Sequence, residues 1–179
     1  PVSFYQRDTI IVAKELLGKY LVHYDAGLER IGKIVEVEAY LGQHDLACHS
    51  SRGVTPRTEV MFGAAGFIYV YLIYGMHYCT NVVTESEGIG SAVLLRALEP
   101  VKNIQSRTQG PGLLSKAMGI DKRLNKHDLQ SDDFYIAEDN PPLEHLIIEK
   151  PRIGVHYAKE WAEKPLRFYI KDNAYISKI

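Results

Sequence analysis

Cysteine is scarce in this 179-residue chain, which holds two, Cys48 and Cys79. Two isolated cysteines make no spaced disulfide framework of the kind small secreted domains use, and neither an HExxH pair nor paired CxxC is present. Long hydrophobic runs are lacking too. No stretch approaches the ~18 consecutive apolar residues of a membrane-spanning helix, and the N-terminal PVSFYQRDTIIVAKELLG has no basic region followed by an apolar run of signal length. These absences lead us to expect an intracellular protein outside the membrane, cytoplasmic in a prokaryote or nuclear in a eukaryote. An excess of one charge is also missing: 21 Lys and Arg against 22 Asp and Glu argue against a strongly basic nucleic-acid clamp. With no repeat, low-complexity tract or linker to divide it, the chain is expected to form one domain over residues 1–179.

What is present starts with Ile34–Ser50, IVEVEAYLGQHDLACHS, a strand running into a polar loop. By strand alternation Ile34, Glu36, Glu38 and Tyr40 share one face, and Val35, Val37 and Ala39 the other. Two carboxylates and a phenol on one face suit a solvated sheet surface as well as a site. Upstream, Asp8 is placed to cap a helix from Thr9 that ends at Gly18, and Tyr20–Tyr24 forms a hairpin with Ile31–Tyr40 across Asp25-Ala26-Gly27. Downstream, residues 42–57 form a long polar loop carrying His44, Asp45, Cys48, His49, Arg52, Thr55 and Arg57.

The run FIYVYLIY (67–74) and its partner Met76–Thr84 form an aromatic hairpin, with Tyr69 and Tyr71 on one face and Tyr74 exposed at the tip. Ser91–Leu98 is an apolar strand interrupted by Arg96, a charge that a buried strand tolerates only with partners. Gly110-Pro-Gly112 precedes a short helix over Leu113–Met118 whose free amides could hold a phosphate, though such a turn is often only a turn. Strands are expected at Asp132–Ala137, Leu146–Glu149 and Leu166–Lys171, and a helix at His156–Glu163. Charge is segregated: Arg96–Lys126 carries seven Lys or Arg against Glu99 and Asp121, and the next block is acidic, so one face can be positive.

EVEAYLG, the ACHS after it, TPR, YVYLIYGMHYCTN, LLRALEP, GPG and PRIGV...WA...PLRFYI, taken in this order, closely resemble the alkyladenine (3-methyladenine) DNA glycosylase family over nearly the whole chain. The resemblance implies a monofunctional enzyme without metal or cofactor. It flips a damaged purine from duplex DNA at the minor groove and hydrolyses its N-glycosidic bond, acting as a monomer. The resemblance makes Glu38 the general base that activates water, with Arg96 beside that water and paired to Glu38 so as to keep it ionised. Tyr40, His49, Tyr71 and Asn81 match the base pocket, Asn81 crowding the extra amino group of guanine. Tyr74 matches the side chain that fills the gap left by the flipped nucleotide, with Met76 beside it. Thr55, Arg57, Gly110 and Gly112 match backbone contacts. Leu113 stands where the family pattern has a lysine after Gly-Pro-Gly, and Glu85-Ser-Glu87 and His77 are further departures that bear on substrate range.

The expected architecture is a mixed α+β domain with a curved, mainly antiparallel sheet flanked by helices and a protruding β-hairpin. Two rival chemistries are a zinc hydrolase using His44, Asp45, Cys48, His49, His77 and Cys79, and a non-catalytic module that binds damaged nucleic acid through the basic face and tyrosines.

Overall fold

The computed structural model describes residues 1–73, 75–138 and 146–179. After a single turn, α1 (Val2–Tyr5), the chain forms α2 (Thr9–Leu16). The Asp8 carboxylate accepts from the amides of Ile10 and Ile11 at 3.0 and 3.2 Å, satisfying two of the helix's free donors. Gly18, at φ 88°, turns the chain into β1 (Tyr20–Asp25), and a two-residue turn at Ala26-Gly27 with both φ positive joins it to β2 (Leu28–Tyr40). Then come β3 (Ile68–Ile73), β4 (His77–Thr84), β5 (Ser91–Lys102), α3 (Pro111–Met118), β6 (Phe134–Ala137), β7 (Ile147–Lys150) and β8 (Arg167–Ile170). The arrangement is α+β, with a curled antiparallel sheet in the order β3-β4-β5-β2-β1-β6; β8 lies against β2, and β7 against β8.

Strand β2 is the spine. One edge pairs with β5 from Ile31 to Tyr40, while the other edge is divided: residues 28–33 pair with β1, and 36–38 with β8. Where the second partner changes, the ladder to β5 is irregular. Ile34 faces Leu98, Glu36 faces Ala97 and Val37 faces Leu95, so Val35 is extra on one strand and Arg96 on the other. This corrects the simple alternation: Ile34 joins Val35, Val37 and Ala39 in the main core, leaving Glu36 and Glu38 on the opposite face. Neither glutamate is solvated; both are fully buried.

The main core lies between the sheet and the two longer helices, where Val12 and Leu16 of α2 and Leu114 and Met118 of α3 meet Val37 and Leu95. Helix α3 starts with Pro111 in its first turn and ends at Gly119 (φ 70°), where the amides of Gly119 and Ile120 close on Lys116 and Ser115. The opposite face is covered by two loop segments. Cys48, Val60 and Met61 pack on Tyr69 and Val83, and Ala47, Val155 and Ala158 form a smaller cluster; Tyr40 touches both.

Residues His156–Glu163 depart from the expected helix. They form 3-10 turns broken at Ala158 and Lys159 (φ 55°), and the Trp161 carbonyl accepts from the Arg152 guanidinium at 3.3 Å. Strands β3 and β4 pair antiparallel as far as Ile73 and His77, and Tyr74 lies outside the described residues.

Gly112 has a packing reason for its identity. A Cβ there would stand 2.8 Å from the Cβ of His77, so α3 approaches β4 more closely than a side chain allows. Gly112→Ala should therefore cost about 1–3 kcal/mol by overpacking, read as a lowered urea midpoint with an unchanged slope.

Candidate active site

Between the sheet and the two covering segments lies a cavity of about 600 Å³, within the range of small-molecule sites. All six residues expected to be catalytic or to form the base pocket converge on its wall: Glu38, Tyr40, His49, Tyr71, Asn81 and Arg96. Strand β2 supplies the first two, β3 and β4 supply Tyr71 and Asn81, and the bulge in β5 supplies Arg96. His49 comes from the short 3-10 turn His49–Arg52.

Glu38 is fully buried yet has partners for both oxygens. The Tyr40 hydroxyl donates to Oε1 at 2.8 Å, and the amide of Ile153 donates to Oε2 at 2.7 Å. The Arg96 guanidinium is further off, with Nη1 3.6 Å from Oε1, an ion pair without a tight hydrogen bond. Burial pushes the Glu38 carboxyl above its ordinary value of 4.5, against the opposing pull of Arg96, the Ile153 amide, the Tyr40 hydroxyl and Arg152. The expected hydrogen-bonded pair of Arg96 and Glu38 is thus corrected to a looser ion pair at 3.6 Å: desolvation outweighs the guanidinium, and the Ile153 amide, the Tyr40 hydroxyl and Arg152 share its pull.

Arg96 is held from two sides. Its Nε is 3.7 Å from Glu36 Oε2, and Nη2 donates to Ser177 Oγ at 3.3 Å. Glu36 in turn accepts from Arg167 Nη1 and from the amide of Ser177, both at 2.8 Å. A line of alternating charge, Glu38, Arg96, Glu36, Arg167, therefore runs behind the cavity wall.

The aromatic side of the cavity is a packed group. His49 lies 4.5 Å from Tyr71, centroid to centroid, and its Nδ1 is 3.0 Å from the Tyr69 hydroxyl; Tyr69 and Tyr71 are 5.2 Å apart. Burial lowers His49 to about 4, helped by the charges of Arg57 and Arg52, so its imidazole is neutral at physiological pH. Burial raises Tyr71 well above the ordinary phenol range and Tyr69 to about 12. Asn81 Nδ2 donates to the Tyr69 carbonyl at 3.2 Å, which fixes the amide in the wall. One cation already sits near each of two tyrosine rings: Arg57 is 5.1 Å from Tyr71 and Arg152 is 4.8 Å from Tyr40.

The expected backbone-contact residues are more dispersed. Arg57 lines the cavity. Thr55 exchanges hydrogen bonds with Thr58, its amide donating to the Thr58 hydroxyl at 2.9 Å and its own hydroxyl accepting from the Thr58 amide at 3.1 Å. Gly110 precedes α3, with its amide on the Arg96 carbonyl at 2.9 Å, and Met76 is 78 % exposed. Leu113 is half-buried on α3.

The ligand types of the zinc rival find other partners. Asp45 is taken by Arg152, His44 packs edge-on against Trp161 and His49 bonds to Tyr69. Among the described residues no group of three or more His, Cys, Asp or Glu could hold a metal ion.

Sequence reasoning missed Arg152, Ile153 and Arg167. Arg152 is buried, donates to both Asp45 oxygens at 2.6 and 2.9 Å and to the Ala39 carbonyl at 3.0 Å, and so pins the loop after β2 to the strand's end. The available signal was the string PRIGV itself, whose arginine follows a proline beside an apolar stretch and so needs a buried acid. Ile153 acts through its amide, which no side-chain pattern reveals.

The model of the methylpurine-DNA glycosylase family matches residues 3–174. Two relatives share the name "Putative 3-methyladenine DNA glycosylase". One, from Legionella pneumophila strain Corby, is 78% identical over 178 residues, covering 99% of this chain and 97% of the relative. The other, from Myxococcus xanthus, is 51% identical over 180 residues, covering 99% and 93%. The chain belongs to the methylpurine-DNA glycosylase family and is a DNA N-glycosylase.

Asp45 and Arg152 both have fully buried side chains, so removing one partner strands the other's charge. Asp45→Ala should lower stability by about 3–5 kcal/mol, measured by denaturant unfolding.

Proposed function

We propose that this enzyme excises alkylated purines, 3-methyladenine among them, from duplex DNA, with the base flipped into the cavity and Glu38 acting as general base. The observation that carries the reading is Glu38 itself: a buried carboxylate on the wall of an aromatic cavity, oriented by two hydrogen bonds and faced by Arg96. Such a carboxylate can take a proton from water as it attacks the anomeric carbon, and its charge stabilises the oxocarbenium-like transition state. Raising its proton affinity by burial makes it a stronger base than an exposed glutamate. The proton leaves water for Glu38, the C1′–N bond breaks, and the purine departs with the bonding pair.

The surroundings favour cationic purines. An alkylated, positively charged base leaves without being protonated. Among the described residues of the wall, His49 is neutral and Tyr69 and Tyr71 hold their protons tightly, so none is suited to protonate a neutral leaving group at physiological pH. A neutral His49 also avoids repelling a cationic guest. Stacking on Tyr40 and Tyr71 contributes about 1–3 kcal/mol per base, comparable with the cost of flipping. Asn81, fixed by its bond to Tyr69, cannot swing aside for the amino group of guanine. Tyr74 and Met76 are proposed to fill the space left in the minor groove, with Arg57, Thr55 and the Gly110–Gly112 turn meeting the backbone. One domain, working as a monomer on damaged duplex DNA, completes the reading.

Glu38→Gln should abolish excision from alkylated DNA while preserving binding to abasic DNA; turnover in the variant would remove Glu38 from its role. In the parent, the ionised base is required, so single-turnover excision should fall as pH drops through an acid limb that lies above 4.5. Ethenoadenine should be released more slowly than alkylated adenine.

Tyr40→Phe separates the stack from the hydrogen bond. Loss of a donor to the carboxylate raises the Glu38 proton affinity further, so the acid limb should move to higher pH while substrate affinity stays near that of the parent. An unmoved limb would show that the Tyr40–Glu38 bond does not tune the base.

A further inference from the structure

Glu36 is a buried carboxylate beside the site that the proposed reaction does not use. It is fully buried, lies two residues before Glu38 on β2, and is not on the cavity wall. A buried carboxylate without a task is costly, yet this one is held by three groups: Arg167 Nη1, the Ser177 amide, and at 3.7 Å the Nε of Arg96. Arg96 therefore stands between two carboxylates at nearly equal distance, 3.7 Å from Glu36 and 3.6 Å from Glu38. Its Nε has no hydrogen-bond partner among the described residues, so the guanidinium is locked onto neither side.

We propose that Glu36 is a positioning residue for the glycosylase reaction: it draws Arg96 back from Glu38, keeping the guanidinium beside the attacking water instead of closed onto the base. This rests on the reading of Glu38 as the base. A tight Arg96–Glu38 pair would weaken the base by favouring its ionised form and would occupy the space where water must sit. Sharing the guanidinium between two acids prevents both. Glu36 is itself fixed by Arg167 from β8 and by the backbone at Ser177, while Arg167 Nη1 also donates to the Lys178 carbonyl at 2.8 Å. The segment after β8 thus braces the far end of the charge line. The other groups facing Glu38 are Tyr40 on its own strand, Tyr71 from β3, Cys79 from β4, and Arg152 with the Ile153 amide. Among the described residues none of these hydrogen-bonds to the Arg96 guanidinium, whose donor contact goes to Ser177 Oγ, so their contribution is expected to stay constant when Glu36 is changed.

The test is Glu36→Gln, which removes the charge and keeps one acceptor oxygen, enough for either Arg167 or the Ser177 amide but not for both. Arg96 then closes on Glu38. The acid limb of excision should move roughly 1 pH unit lower, and kcat should fall roughly tenfold with KM unchanged. Glu36→Asp retains the charge at shorter reach, so its limb should fall between those of the parent and Glu36→Gln; it also serves if Glu36→Gln does not fold. A merely structural glutamate would lower the melting temperature and leave the limb and kcat of the folded enzyme unmoved, and that result overturns the proposal. Glu38→Gln, assayed alongside, distinguishes the two readings: excision by that variant removes the base. In that event a carbon-NMR titration of the Glu38 carboxyl in the parent and the Glu36 variants still decides the matter. A shift to lower pH supports Glu36 as positioner, and no shift overturns it.

Discussion

The structure depends on burying charge where β2 changes partners. At the paired bulges of Val35 and Arg96 the sheet turns two glutamates and an arginine away from the core and under covering loops. Water that would ordinarily solvate them is displaced, and the protein must supply the substitutes. It does so with backbone amides at Ile153 and Ser177, a phenol at Tyr40, and guanidinium groups from β5 and β8. All of these but Tyr40 come from segments distant in sequence, so the site can exist only when the fold is complete.

This burial has a cost that runs against stability. Glu38 takes up a proton more readily in the folded chain than in the unfolded one. Its contribution is fully present below the unfolded value near 4.5 and declines as pH rises towards the raised folded value, so at neutral pH the ionised carboxylate opposes folding. The general-base role proposed for Glu38 needs that same property. The buried Asp45–Arg152 pair ties the loop after β2 to Ala39 at the strand's end, beside Glu38.

Much of this was legible in the sequence, and the limits have physical causes. The Asp8 cap, the two-residue turn at Ala26-Gly27 and the aromatic strands are local signals, and local structure followed them. The convergence of Glu38, Tyr40, His49, Tyr71, Asn81 and Arg96 was readable only through the ordered family motifs, since no spacing rule joins residues from four strands and a loop. The face of Ile34 was misread because a bulge breaks period two, and a bulge depends on the partner strand, which the sequence of β2 does not contain. The helix expected at His156–Glu163 is present only as 3-10 turns with a break at Ala158 and Lys159, for a similar reason. Its pattern is amphipathic, but Arg152 takes the Trp161 carbonyl and Lys159 adopts positive φ.

Tyr40 shows how closely stability, binding and chemistry are joined in one residue. Its ring belongs to both small clusters under the covering loops, with the Arg152 guanidinium near its face, and its hydroxyl holds the glutamate. Burial and the neighbouring carboxylate raise its phenol well above the ordinary range, so it remains a donor throughout the working pH range. A residue that only stacked could be phenylalanine, and one that only donated could be serine. Tyrosine at the end of β2 meets both demands because the phenol is rigid: packing that orients the ring for a base also orients the hydroxyl for Glu38. Under the proposed mechanism, displacing the ring for a larger guest would therefore loosen Glu38 as well, and an ill-fitting purine would be penalised twice, in binding and in the proton affinity of Glu38.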